Sequence, residues 1–376
     1  MNRRELLRLA GMAGAALLVG RPSPSGARTQ GAPLELGIPG PFPGRVIEVR
    51  SPFAVRRGEV DAAAVDAMVA RGMCALTRAP DPTAAWRRFF EPGDVVGLKV
   101  NPVAGQGAIT SFALVRAVVS GLQSAGVPSA DVVVFDRYRN QFVSAGYPEH
   151  LPDGVRWDAA CPKYDDVQLD IGGYDRDVFR EIDLAYQNAA DERARRSHVC
   201  LIVARQVNKV INLPVLKDHK AAGVTLALKN LSHGLVNNVS RSHAWPEHND
   251  CATFIPAIVS LPVIRSKVVL HVLDGTQAAF DGGPAPPPQT TWAHKTLYFA
   301  TDPVAMDRVG WDAIDAKRHA MGLVPVAAAR FDLAAPHPAV SAPLPFRQPQ
   351  YIELAAAAGL GVFERAHLQH ERIALP

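Results

Sequence analysis

Cysteine is scarce and scattered in this chain: Cys74, Cys161, Cys200 and Cys251 are far apart and none belongs to a C-x-x-C pair. That spacing excludes a ferredoxin-type cluster motif and a paired-cysteine zinc site; one disulfide is possible if the compartment is oxidising, and the spacing does not identify it. Cys200, inside HVCLIV, reads as a small buried hydrophobe. H-E-x-x-H is missing, as are G-x-S-x-G, the Walker pattern and G-x-G-x-x-G, so metalloprotease, serine hydrolase, nucleotidase and Rossmann readings have no motif behind them. There is no internal repeat. Glycine (29) and proline (31) are plentiful but not periodic, which excludes a fibrous chain. Past the N-terminus no apolar run is long enough to span a bilayer, so no transmembrane segment is expected in the mature chain.

What is present is globular: 376 residues, 48% hydrophobic and 20% charged. That is enough chain for a large core. The N-terminus, MNRRELLRLAGMAGAALLVG followed by RPSPSGA, has paired Arg3 and Arg4, a modest apolar stretch and small residues at Ser25 and Ala27. It resembles a twin-arginine export signal over residues 1–27, which implies the twin-arginine export machinery as a partner and a periplasmic or extracellular destination. Arg3, Arg4, Arg8 and Arg21 against Glu5 account for +3 of the formal net charge of +4, so the remainder sits near +1 and carries no nucleic-acid footprint. Residues 28–44, rich in Gly and Pro, read as a linker.

From residue 45 to 376 apolar strands alternate with helical patterns. Strands are expected at 45–51, 94–101, 131–136, 198–203, 208–213, 267–275 and 296–302, and helices at 60–76, 111–126, 224–236, 303–322 and 351–361. The alternation predicts an α/β fold, a single domain with a mainly parallel sheet flanked by helices. A polar, irregular stretch at about 137–197 reads as an insertion or cap.

In open α/β sheets ligands sit beyond the carboxyl ends of the strands. Here those ends carry Lys99 and Asn101, Asp136, Asn212 with Lys217 and His219 after it, Asp274, and Asp302. Helix capping accounts for Asp302 before Pro303, and a turn can account for Asp136 or for Asp274–Gly275, but neither accounts for Lys99, Lys217 or His219. Along VTLALKNLSHGLV, Thr225, Lys229, Ser232 and His233 share one helical face opposite Val224, Leu228, Leu231 and Leu235. That face is either a solvated stripe or, given the apolar neighbours of Lys229 and Asn230, the lining of a cavity. So many ammonium groups favour a small anionic ligand over a bare metal. A divalent cation bridging such a ligand to Asp274 or Asp307 stays open. His233, His243, His248, Asp250 and Cys251 are either a polar loop or metal ligands. Gly282 and Gly283, in DGGPAPPPQ, either form a surface turn or bring backbone amides to a ligand.

The blocks INLPVLKDHKAAGVTLALKN, DGTQAAFDGGP and ATDPVAMD, with VVGLKVN and the terminal AAGLG, resemble the prokaryotic domain-of-unknown-function family 362 over roughly residues 90–365. Some members carry a fused ferredoxin module, whose cysteines this chain lacks. Where the family commonly has Lys-Thr-His, this chain has Lys217-Asp218-His219, and an acid there could pair with Lys217 and weaken anion binding. The resemblance transfers no reaction.

The expected site therefore has His219, Lys217 and Asp274 as catalytic candidates, with His219 the acid or base. Lys99, Asn101, Lys229, Asn230, Gly282 and Gly283 are the ligand-binding candidates, and Asp274 and Asp307 the metal-binding ones. The chain is then an exported protein that binds or transforms a small anion. The alternatives are a non-catalytic binding module for a carboxylate, phosphate or metal complex, and a structural domain with an ordinary polar core.

Overall fold

Valine- and leucine-rich stretches such as VGLK, DVVVF and KVVLHVL are too apolar for a one-sided strand, and each is buried on both faces. The structure, a computed structural model, describes residues 35–103, 107–164, 168–184, 191–243, 249–329 and 347–376. These belong to one compact unit, Glu35–Pro376. The residues expected to form the export signal, and residues 28–34, lie outside the described part.

In chain order the strands begin with β1 (Arg45–Arg50), the short pair β2 (Val55–Arg56) and β3 (Glu59–Val60), β4 (Val96–Lys99), β5 (Val132–Tyr138) and β6 (Arg156–Cys161). A ribbon of β7 (Tyr174–Glu181) and β8 (Arg196–Cys200) follows, then β9 (Lys209–Asn212), β10 (Val215–His219) and β11 (Gly223–Val224). The last are β12 (Val268–Ala279), β13 (Thr291–Ala300) and β14 (Gln369–Ala374). The main sheet runs β14-β1-β13-β12-β9-β4-β5-β6, with β10 and β11 attached beside β12. From β12 through β9, β4, β5 and β6 every pairing is parallel, whereas β13 is antiparallel to both β12 and β1. The fold is α/β, as expected.

Helix boundaries follow their caps. Phe112–Ala125 starts where Ser111 accepts from the Leu114 amide and stops at Gly126, whose φ of 100° is the left-handed conformation glycine favours. Pro303–Ala320 starts at Asp302, with proline at the first turn.

Four expectations change. The polar stretch after Asp136 is not wholly an insertion: β5 continues to Tyr138, and β6 pairs with it as the sheet's edge strand. An edge strand with partly exposed side chains has no need of the apolar pattern that marks the core strands. The run 198–203 is not a core strand; its first half lies in the β7–β8 ribbon, and Ile202–Gln206 turns helical. Residues 35–44, expected as part of the linker 28–44, are docked: Ile38 is buried and the Gly44 amide donates to Asp302. Finally, the strand that reaches Asn212 does not end the extended chain. Pro214, with no amide hydrogen, interrupts the pairing, and the chain resumes as β10, parallel to the far half of β12.

Candidate functional site

The break at Pro214 sets the geometry of the site. β4, β5 and β9 are parallel neighbours, so Lys99, Asp136 and Asn212 come to the same edge of the sheet. β10 runs past that edge. Side chains alternate along a strand, so Lys217 and His219 share one face while Asp218 points to the other. The helix Leu226–Gly234 then packs against the rim. Together these elements line a cavity of about 250 Å³ that includes Lys99, Asn101, Asp136, Arg137, Lys217, His219, Lys229 and Asn230. The structure thus brings together six of the expected residues: Lys99, Asn101, Lys217, His219, Lys229 and Asn230. Since Lys229, Asn230 and Ser232 are all buried, the helix face is a cavity wall and not a solvated stripe.

A chain of amides fixes the cavity floor. Lys217 Nζ donates to Asn101 Oδ1 at 2.9 Å and to the Pro284 carbonyl at 3.1 Å. Asn101 Nδ2 donates to Asn230 Oδ1 at 2.9 Å, and Asn230 Nδ2 to Asn212 Oδ1 at 2.7 Å. Asn212 Nδ2 donates to the Ala227 carbonyl at 3.0 Å. With every amide oriented by the next, the oxygen facing Lys217 is determined by the network.

The cations differ in how they are paired. Lys99 is held by Asp136 at 2.6 Å. It passes so close to Gly234 that a β-carbon there would collide with the lysine stem. Arg137 donates to the His233 carbonyl and to Gln168. Lys229, only 6% exposed, has no hydrogen bond or ion pair from its ammonium group among the described residues. Burial pulls its pKa down to about 8. Burial, then the neighbouring Lys229 cation, pulls Lys217 down to about 7.

His219 Nδ1 accepts the backbone amides of Ala221 and Ala222, at 3.1 and 3.2 Å. Burial and the Lys229 charge hold its pKa well below the usual 6.5. The ring is therefore neutral with its proton on Nε2, a hydrogen-bond donor. The His243 ring stacks on it at 5.7 Å, and the His233 ring lies 5.5 Å from His243. Among the described residues no group of three His, Cys, Asp or Glu is arranged to hold a metal ion; His248 lies outside them.

Four expected residues are not in the cavity lining. Asp274 lies in the middle of β12, since the strand runs on to Ala279 through an irregularity after Gly275. Its carboxylate accepts from the Ser111 amide and from the amide and hydroxyl of Thr276. Asp307 reaches from the helix Pro303–Ala320 to accept the Ala227 and Leu228 amides, capping the helix Leu226–Gly234, whose own Thr225 makes no side-chain cap. Both carboxylates are thus committed to protein donors. The Gly283 amide donates to Asp218, and a β-carbon at Gly283 would strike the Asp218 carbonyl, so this glycine serves the close approach of two chain segments. Gly282 makes the turn before it. Asp302 caps its helix at the other end of the sheet, because β13 runs antiparallel.

Asp218 does not pair with Lys217. Its carboxylate meets Arg347 at 2.9 Å and the Gly283 amide, while Arg347 also reaches Asp281. Arg137, Tyr138 and Gln141 are lining residues that sequence reasoning missed. The strand was expected to end at Asp136, so the next residues fell to the presumed insertion. A second cavity of about 240 Å³ shares Arg137 and Tyr138 with the first and reaches Cys161 and Tyr174. The four cysteines are free, and Cys200 is fully buried, as expected of a small hydrophobe.

The sequence profile of the family described as Domain of unknown function (DUF362) matches residues 96–312. The chain belongs to this family. No curated protein matches it in sequence. The matched segment of this DUF362 chain starts at the first residue of β4 and includes the whole strand–helix unit from β9 to Gly234, so the cavity is built mostly from family sequence. Asp218 faces away from the cavity and leaves the lysine–histidine pair of that face intact.

Proposed function

We propose that the cavity binds a small anionic molecule and that the chain holds or transforms it there. The observation that carries this is Lys229: a buried ammonium group with no partner among the described residues, in a cavity where Lys99, Arg137 and Lys217 add positive charge and the lining carboxylate Asp136 is already taken by Lys99. A buried charge normally finds a partner, and a carboxylate or phosphate supplies one. Lys217 and His219 Nε2–H, projecting from the same strand face, orient the ligand, and His219 is positioned to polarise an oxygen on it.

The test is melting of the purified protein against a panel of carboxylates and phosphates. At least one anion raises the melting temperature, and Lys229→Met abolishes the rise. An unchanged response in Lys229→Met overturns the reading. Once a ligand is in hand, His219→Gln separates the two forms of the proposal. A transforming site loses turnover by 100-fold or more with affinity within about tenfold, and a holding site shows no turnover in either protein.

Export is part of the same proposal, supported by the order of Arg3–Arg4, apolar stretch and small residues at 25 and 27. Among the described residues no helix is long and apolar enough to cross a membrane. Replacing both arginines by lysine should leave the protein in the cytoplasmic fraction of a host with a twin-arginine system; undiminished export rejects the assignment.

A further inference from the structure

We propose that Lys217 is a nucleophile and that the anion is a carbonyl compound, a 2-oxo acid, which it captures as an imine. This rests on the anion-binding reading and adds a reacting atom to it. The two acceptors of the Lys217 amine, Asn101 Oδ1 and the Pro284 carbonyl, are neutral, and the amide chain fixes the first of them. Among the described residues no carboxylate is bonded to the amine: Asp218 is on the opposite face with Arg347, and Asp136 is bonded to Lys99. A lysine with two neutral acceptors uses both hydrogens of its uncharged amine and keeps its lone pair in the remaining position, on a side chain that lines the cavity. Lys229 lines the same cavity with no partner among the described residues, and a second cation near an amine disfavours its protonated form. The fall of the Lys217 pKa to about 7 agrees with that geometry.

The chemistry balances without a further reagent. The amine lone pair adds to the ketone carbon, a C–N bond forms, and the carbonyl oxygen takes up charge beside His219 Nε2–H. Both amine hydrogens then leave with that oxygen as water, and the C=N bond replaces C=O. Nothing is oxidised or reduced. The carboxylate of the oxo acid supplies the anion that Lys229 lacks.

The experiment is reductive trapping of the full chain with pyruvate and borohydride, followed by peptide mapping, beside melting measurements with pyruvate and with lactate, which has the carboxylate but no ketone. The expected adduct is on Lys217, at least tenfold above any other lysine, and its yield rises with pH around a half-point near 7. In Lys229→Met that half-point moves up by about one pH unit, a shift that a merely structural lysine pair would not produce. Because the adduct is mapped in the unaltered protein, the result does not depend on Lys217→Met folding. An adduct on Lys229, or one spread evenly over exposed lysines, overturns the assignment of Lys217. If lactate and pyruvate both raise the melting temperature and nothing is trapped, the imine is wrong and the anion site survives. If neither raises it and nothing is trapped, the anion site fails for carboxylates and the imine fails with it.

Discussion

On the strand Val215–His219, adjacent residues carry charge on opposite faces under opposite conditions. Asp218 is fully buried and fully answered: Arg347 and the Gly283 amide bind it, and Arg347 is shared with Asp281. Lys217 is just as buried, yet its acceptors are neutral, and a neighbouring cation, Lys229, adds to burial in disfavouring its protonated form. A folded protein satisfies buried charge where the charge serves the fold, because an unpaired ion in the interior costs several kcal/mol. Where one side of a strand obeys that rule and the other does not, the second side is the candidate for function. The contrast also settles what the Lys-Asp-His sequence left open. Adjacent in the chain, Lys217 and Asp218 cannot pair across a strand that sends them in opposite directions.

The sharpest way to break this comparison is to remove the acid. Asp218→Ala should leave Arg347 buried with only part of its bonding. The expected loss is about 3 kcal/mol, at the low end for opening a buried pair because Asp281 remains. Urea unfolding measures it, and a loss below about 1 kcal/mol would show that the Asp218 face is not structural. The anion response of the cavity should persist in this variant if it folds.

The cation side should answer with the opposite sign. Lys229→Met removes a charge with no partner and keeps most of the apolar stem, so ligand-free stability should rise by about 1–2 kcal/mol while anion-induced stabilisation disappears. A loss of stability of similar size would mean that Lys229 has a structural role, and the contrast between the two faces would collapse.

How legible all this was depends on the kind of signal each element emits. The parallel core strands and the helix Phe112–Ala125 announce themselves through continuous apolar runs and through Ser111 and Gly126 at the helix ends. Lys229 and Asn230 were half legible: aliphatic neighbours favoured a cavity wall, but the amphipathic pattern left a solvated stripe open until their burial was seen. β10 was not: Lys-Asp-His emits no hydropathy signal, and its strand state comes from pairing with β12 across the chain. Asp274 was misplaced for a related reason. Asp-Gly resembles a turn, but the strand passes through it because β10 and β13 flank that segment on both sides. Arg137 was hidden by a strand that continues two residues beyond its last apolar residue pattern. In each case the missing information is long-range pairing, which overrides local preference.

The finest test of the comparison is the pH dependence of the ligand-free protein. Lys217 and Lys229 have folded pKa values of about 7 and about 8 against the usual 10.5, so the native state releases protons that the unfolded chain keeps. Their contribution to stability is fully present above 10.5 and is lost as pH falls through 8 and then 7. Asp218, raised to about 6 chiefly by burial, acts at the other end: its contribution is present below its usual 3.8 and lost as pH rises through 6. Stability should therefore climb steadily between pH 6.5 and 9, with the climb reduced in Lys229→Met. A bound anion favours the protonated lysines, so its stabilising effect should run the other way, largest near pH 6 and several-fold weaker by pH 9. An anion response that is flat over that range would separate the ligand from the lysines and return Lys217 and Lys229 to the interior of an ordinary fold.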